Sequence, residues 1–486
     1  MADALVERMI TRLFPHEEKQ LTVVRNRDGF LSRDDVQEAL RYARVSVFHG
    51  LSLDLRVVVE TELKNAEGRI LFIQDEDFDI MPDIVQIAEV VSFQTKNMFP
   101  HYHWDTIKNR DYNTLKWLVA QKQIVYLTPE QTSRAVMEYG NSRAHVDDEM
   151  NALMAEWHRV VAKVEFHKPQ KWASLLAEVL LRSIEIDRWH DMMEPVFKLN
   201  KAFQAFLKES YINIATSTLG HACPRVVKQI LPFVASHNTS KSALIVVDGM
   251  NMWQAKLLCN HIEGHTDNIS LKFDASYSWL PSTTELSRQA IFKGNFPSDT
   301  YTQNPSTEKK LWHDFWATKH VNPIEAFYQY SGDIESPQQH IKYLAYVTVE
   351  LDKMMHAATN YMYLYDDTKR WVEDGQLLAI VQRLLDNGFT VYITTDHGNI
   401  EPGSNVSLAS YFKTGANYSG RHITLHPAAN KQLFAEENQG LVTQVDASSR
   451  TFYPVDRDIF SREGHVTHGG SHWLEVIIPF ITITKL

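Results

Sequence analysis

Cysteine is nearly absent from the chain. Cys223 and Cys259 are the only two in 486 residues, and they match no zinc or redox spacing. That excludes a disulfide scaffold and leads us to expect a cytoplasmic protein with reduced thiols. Long apolar runs are also missing: no stretch approaches the ~20 residues needed to span a bilayer. There is no low-complexity tract and no repeat of fixed period, which excludes solenoid and propeller architectures. The opening segment MADALVERMITRLFPHEEKQ carries both signs of charge and reads as an amphipathic helix, not a secretory signal. Basic residues are in deficit, with a net charge of −11. This argues against a whole-surface electrostatic grip on nucleic acid. A local phosphate site stays open, because bound cations reverse the local field.

What is present is the composition of a soluble globular chain, 44% apolar and 22% charged. The length exceeds what one hydrophobic core usually serves, so two or three domains are expected. Residues 1–105 alternate short apolar runs with helical patterns. Leu21 to Val24, Val45 to Phe48 and Ile70 to Ile73 predict buried strands in a small α/β unit with parallel pairing. Ser32, with Asp35 three positions on, predicts a capped helix start. Asp75-Glu76-Asp77 reads as a solvated loop. Over residues 106–236 apolar residues recur at helical spacing, as in Trp172, Leu176 and Val179 or Phe203, Phe206 and Leu207. Trp157, His158, Trp189 and His190 are read there as parts of packed helices. A polar stretch near His237 to Lys241 sets the main boundary, and residues 237–486 again read as α/β. Trp371 to Leu385 predicts one helix, ended by Asn387-Gly388. The last strand, Val476 to Thr484, contains Pro479 and is expected at an edge or a bulge.

Metal-ligand residue types recur at the ends of predicted strands, where parallel α/β sheets bind ligands. Val246-Val247-Asp248-Gly249 ends an apolar run in an acid; a helix cap would read the same way. Asp352 and His356 follow a second run and share a face if helical. Val391 to Thr395 delivers Asp396 and His397 into a glycine turn; without a metal or a partner, burying that pair would be costly. His465, His468 and His472 surround Gly469-Gly470, and one of them can complete a metal site. Ser282, Thr283 and Thr284 precede a helix whose free N–H groups suit a phosphate; a plain helix cap is the alternative. Together the set fits a phosphate-ester hydrolase: two cations ~3.5–4 Å apart can clamp an in-line displacement at phosphorus.

These segments resemble the PglZ domain, a branch of the alkaline phosphatase superfamily. The resemblance rests on IVVDGM at Asp248, LPSTTELSRQAIFKG at Thr284, ELDKMMH at Asp352 and His356, TTDHGN at Asp396 and His397, and THGGSHWLE at His468. It implies an alkaline-phosphatase-like domain with a mainly parallel sheet between helices. It also implies two zinc ions, one held by Asp248, Thr284, Asp396 and His397, the other by Asp352, His356 and His468. Thr284 would be the nucleophile. RNRDGFLSRDDV, LSLDLRVVVE, RILFIQ, MPDIVQIA and HWDTI are similar to the N-terminal part of longer PglZ proteins of bacterial phage-exclusion (BREX) systems. No receiver domain of the response-regulator type is evident. His472-Trp473 depart from the pattern and are expected to reshape the mouth of the site. Arg421 is a candidate for meeting a substrate phosphate.

The resemblance thus implies a zinc-dependent phosphodiesterase acting on a nucleotide, oligonucleotide or nucleic-acid end, with protein partners in an anti-phage defence system and no membrane. The rival readings are a metal-stabilised scaffold of a defence complex, or a sensor that binds a nucleotide without cleaving it.

Overall fold

The computed structural model describes residues 3–16, 18–66, 68–218, 222–237, 240–298, 300–334, 337–460 and 464–486. Part of the polar stretch read as the main boundary, 238–239, lies outside the described residues. The chain divides into two compact units, Met1–Asn151 and Ala152–Leu486. The helices of segment 106–236 fall in both.

The first unit is built on four parallel strands, β1 (Leu21–Asn26), β2 (Val45–Gly50), β3 (Arg69–Gln74) and β4 (Ala88–Phe93), in the order β2-β3-β1-β4. β1 and β3 take the centre because their apolar runs are buried on both faces. β4 was not expected. Its pattern, buried only at Ala88 and Phe93, is that of a half-covered edge strand. Ser32 does not cap the following helix, Asp34–Tyr42; Arg33 takes that position without a side-chain bond. Ser32 ends a short 3₁₀ turn, and its hydroxyl accepts from Asn26 instead. In the Asp75–Asp77 loop, Asp77 is ion-paired with Arg25 and Arg27, and His49 Nδ1 lies 3.6 Å from Asp75 Oδ1.

The second unit carries a six-stranded mixed sheet. Its strands are β5 (Ser242–Val247), β6 (Ile269–Tyr277), β7 (Ala326–Tyr330), β8 (Tyr343–Thr348), β9 (Thr390–Thr394) and the C-terminal strand Ile477–Lys485. Between β9 and that last strand come four short ones: β10 (Asn417–Tyr418), β11 (Ile423–Thr424), β12 (Val442–Thr443) and β13 (Thr451–Pro454). The last strand is therefore β14. The large sheet runs β6-β14-β9-β5-β8-β7, with β9, β5, β8 and β7 parallel. β5 is buried at every residue, as a central parallel strand must be. The helices Met252–His265 and Gln376–Asp386 bury Leu258, Ile262, Ile380 and Leu384 in one core with the strand residues Ile245, Val247, Val391 and Ile393.

Two expectations are corrected here. β14 is not an edge strand: it lies between β6 and β9, antiparallel to both. Pro479 is tolerated because pairing with β9 begins only at the next residue, Phe480. Trp371 to Leu385 is not one helix. It breaks between helices Tyr361–Glu373 and Gln376–Asp386 at Gly375, whose φ of 72° is left-handed. Trp157, Trp172 and Trp189 are core residues, whereas His158 and His190 are exposed.

The short strands form a separate antiparallel sheet, β10-β11-β13-β12, over a core that includes Phe412, Phe434 and Phe452. Among the described residues no helix is long and apolar enough to cross a membrane.

Candidate active site

β5 and β9 end side by side, and each delivers an acid. Asp248 is the first residue beyond β5, and Asp396 stands two residues beyond β9. Asp352 sits in the first turn of the helix Glu350–Ala357, which follows β8. Gly249 makes this convergence possible. Its φ is 72°, and a Cβ there would lie 3.3 Å from the Asp352 Cα.

Each carboxylate has one oxygen without a hydrogen-bond partner. Oδ1 of Asp396 accepts from the Gly249 N–H (3.2 Å), the Thr395 hydroxyl (3.1 Å) and the His397 N–H (3.1 Å). Its Oδ2 is buried and unpartnered. Oδ2 of Asp248 accepts from Arg288 at 2.8 Å, while its Oδ1 is buried and unpartnered. The Asp352 Oδ1 is likewise orphaned; His356 Nε2 approaches to 3.4 Å without hydrogen-bond geometry. Buried acceptors left open in this way are rare and costly.

Two histidines are oriented toward these oxygens. Nδ1 of His397 lies 2.9 Å from the Gly398 carbonyl, and Nδ1 of His468 lies 3.1 Å from the Ser282 carbonyl. A carbonyl only accepts, so both Nδ1 atoms donate and both Nε2 atoms present a lone pair in the neutral ring. This backbone tether is the usual support of a metal-binding imidazole. Nε2 of His397 lies 3.6 Å from Asp248 Oδ1 and 3.7 Å from Asp396 Oδ2. Nε2 of His468 lies 3.8 Å from Asp352 Oδ1. The two rings stack with centroids 3.7 Å apart.

Gly398 serves by absence of bulk. It needs no left-handed backbone, but a Cβ there would fall 2.0 Å from the Leu474 carbonyl oxygen. The glycine is thus required by close packing and not by a left-handed backbone.

The electrostatics follow from the burial. Burial, and then the charge of Asp396, push the Asp248 carboxyl up. Burial pushes Asp396 up to about 6 despite Arg288. Burial also raises Asp352, but His356, His468 and His397 outweigh it and hold that carboxyl down at about 2. Burial and the neighbouring His397 hold His468 well below the usual imidazole range.

Ligand atoms of Asp352, His356 and His468 lie within 4.8 Å of one another, and so do those of Asp248, Asp352 and His397. Orphaned carboxylate oxygens beside neutral imidazole lone pairs are a donor set that fits divalent metal ions. Asp352 belongs to both groups, which the sequence pattern did not suggest.

Thr284 adjoins these residues. It opens the helix Thr284–Lys293, and its Oγ1 lies 3.0 Å from His397 Nε2. Ser282 is buried, with its hydroxyl donating to the Gly470 carbonyl. Thr283 is the residue before the helix and makes no side-chain cap. A cleft of about 1310 Å³ opens over Thr284, Asp352, His356 and His468. Trp279, Tyr301, Tyr418, His422 and His465 are among its lining, with Tyr418 and His422 supplied by the small sheet region.

The family model of the BREX system PglZ alkaline phosphatase-like domain matches residues 226–483, more than half of the chain. The chain belongs to the PglZ family. Its PglZ domain is of the alkaline phosphatase-like kind, a phosphate-ester hydrolase. No curated protein matches the sequence. Among solved structures, phosphonoacetate hydrolase from Sinorhizobium meliloti 1021 is similar at 11% identity, covering 50% of this chain and 89% of that one, with a TM-score of 0.33. Murine ectonucleotide pyrophosphatase/phosphodiesterase 5 is similar at 11% identity, covering 50% and 87%, with a TM-score of 0.35.

Two expectations about the PglZ domain are corrected by burial. Arg421 does not face the cleft. Its side chain is buried, Nη2 donates to Glu475 Oε2 at 2.7 Å and Nε to Oε1 at 3.1 Å, and Nη2 and Nη1 also donate to the Asp456 and Asp458 carbonyls. The guanidinium is thus committed to buried acceptors and not to the cleft. His472 and Trp473 do not line the mouth. His472 accepts from the Leu474 N–H and faces Asp456 at 3.3 Å, and Trp473 packs between Trp157 and Trp172. The buried cation beside the site is instead Arg288. It was not singled out, because its partners Asp248 and Glu308 stand 40 and 20 residues away in sequence.

Proposed function

We propose that this chain is a metal-dependent phosphodiesterase acting on a nucleotide, an oligonucleotide or a nucleic-acid end. The observation that carries the reading is the Thr284 hydroxyl, held at a helix N-terminus 3.0 Å from His397 and beside three unpartnered carboxylate oxygens. Asp352, His356 and His468 would hold one zinc ion; Asp248, Asp396, His397 and Thr284 would hold the other. Bound there, the pair would set positive charge against the phosphoryl oxygens and favour the deprotonated threonine.

The chain's own groups do the rest. Oγ1 of Thr284 loses its proton to solvent and attacks phosphorus, the bond to one ester oxygen breaks, and that oxygen takes up a proton. The intermediate is a phospho-threonine that still bears the second ester group. Water then attacks phosphorus, the bond to Oγ1 breaks, Thr284 regains its proton, and a phosphate monoester leaves. The first-turn N–H groups of the helix Thr284–Lys293 face the phosphoryl group and favour its negative charge. The rings of His397 and His468 are tethered through Nδ1 to backbone carbonyls, so little reorganisation is needed as charge develops.

A diester suits the cleft better than a monoester. Its volume of about 1310 Å³ leaves room for substituents on both ester oxygens. Among the described lining residues none is Lys or Arg, so a phosphoryl monoanion is easier to hold than a dianion. We assign the protein a place in a cytoplasmic BREX-type anti-phage system with protein partners of that system, on the strength of the family match. The test is the ratio of kcat/KM for bis-p-nitrophenyl phosphate to that for p-nitrophenyl phosphate, on zinc-loaded protein. A ratio well above one supports a diesterase. A ratio below one overturns the substrate class, and no turnover of either ester by metal-loaded protein moves the reading to a scaffold or sensor.

A further inference from the structure

Arg288 and Glu308 form a buried pair beside the candidate site. Arg288 is 2% exposed and Glu308 0%. The guanidinium grips Glu308 with two bonds, Nε to Oε2 at 2.8 Å and Nη2 to Oε1 at 2.9 Å. Its third arm, Nη1, donates to Asp248 Oδ2 at 2.8 Å. Glu308 is itself fixed by the Tyr328 hydroxyl at 2.6 Å and the Gln303 amide at 2.5 Å. The pair therefore links four elements: the helix that Thr284 opens, the helix Pro305–Ala317, strand β7 and the end of β5.

Such a pair is expensive. Both ions lose their hydration on burial, and apolar replacements of equal volume are often as stable or better. Its place beside Asp248 suggests what offsets that cost. Arg288 occupies one oxygen of Asp248 and leaves the other, Oδ1, buried and open, 3.6 Å from His397 Nε2. Arg288 is also one helical turn beyond Thr284, so the same contact ties the nucleophile's helix to the acid.

We infer that Arg288, held by Glu308, is a positioning residue that fixes the rotamer of Asp248, presents Oδ1 to the metal beside Thr284 and His397, and keeps Thr284 in register with it. The inference rests on the metal-centre reading above. Arg288 touches neither substrate nor cation in this role. The guanidinium is needed for its geometry as well as its charge, since a lysine ammonium cannot bridge two carboxylates with three directed donors.

Zinc titration of chelated protein by calorimetry tests this, on wild type, Arg288→Lys, and the double variant Arg288→Met/Glu308→Gln. The double variant removes both charges at similar volume and should stay folded. If it does not, Arg288→Lys carries the test. Two zinc equivalents are expected for wild type. In the variants one equivalent should weaken by about 10–100-fold, the usual cost of losing an outer-shell support, while the other keeps its wild-type constant. Turnover at saturating zinc should fall through kcat with KM little changed. Two wild-type constants in a folded variant would overturn the inference and leave the metal-centre reading standing. Equal weakening of both equivalents would also overturn it, as the mark of a general structural role. No zinc uptake by wild type would overturn both readings.

Discussion

Thr284 Oγ1 stands 3.0 Å from Nε2 of His397, a ring whose other nitrogen donates to the Gly398 carbonyl. The relationship fixes more than a distance. With Nδ1 donating to the backbone, Nε2 of the neutral ring presents a lone pair to the threonine hydroxyl. That lone pair is also within 3.7 Å of open oxygens on Asp248 and Asp396. The proposed nucleophile and the proposed ligands thus meet at one point, and the predictions below depend on it.

Replacing Gly249 by Ala should damage stability and metal binding together. The left-handed φ of 72° costs a non-glycine residue about 1–2 kcal/mol, and the new Cβ would press on Asp352 at 3.3–3.4 Å. We expect a lower denaturation midpoint and weaker zinc uptake, read by chemical unfolding and chelator competition. An unchanged midpoint would show that the strand-end turn is looser than described.

Removing the metal should leave a protein that becomes less stable as pH rises. Burial raises Asp396 to about 6 in the folded chain, above the unfolded value of roughly 3.9. Between those values the folded state binds more protons than the unfolded one, so stability falls as pH climbs through about 4–6 and stays lower above. Asp396→Asn removes this group's share of the dependence, while Asp248, also raised by burial, keeps its own. At pH 7.5 the chelated variant should therefore melt above chelated wild type, while zinc stabilises wild type far more. Thermal melts at pH 5 and pH 7.5, with and without zinc, check both signs.

Arg421 is predicted to act on stability and not on substrate. Arg421→Ala leaves Glu475 buried without its cation, a change that costs about 3–5 kcal/mol. The paired replacement Arg421→Met/Glu475→Gln should recover most of that. Equilibrium unfolding measures it. A variant of normal stability whose KM alone rises would return Arg421 to the substrate.

The parts of the site that could be read from sequence are those where chemistry coincides with a change of pattern. Apolar runs ending in Asp248 and in Asp396-His397 announce strand ends in a parallel sheet, and the strands lie there. Asp352 and His356 were readable by their helical spacing. Relationships between distant segments were not. The Arg288–Glu308–Asp248 chain, the burial of Arg421 against Glu475 and the sharing of Asp352 between two ligand groups all depend on tertiary packing. The same limit applies to the fold. β4 lacked a continuous apolar run, and Pro479 pointed to an edge because the pairing span of β9 is invisible from the sequence. Gly375 within a helical pattern gives no clear signal of a break, because one glycine does not by itself end a helix.

The central claim is that Thr284 and the metal centre together cleave a phosphate ester. It is tested most directly by bis-p-nitrophenyl phosphate hydrolysis with wild-type protein as prepared, after chelation and after zinc reloading, beside zinc-loaded Thr284→Ala. We predict turnover that disappears on chelation, returns with zinc and falls by roughly 10³-fold or more in the variant, whose unfolding midpoint stays unchanged. Undiminished hydrolysis by Thr284→Ala, or by fully chelated protein, would contradict the account.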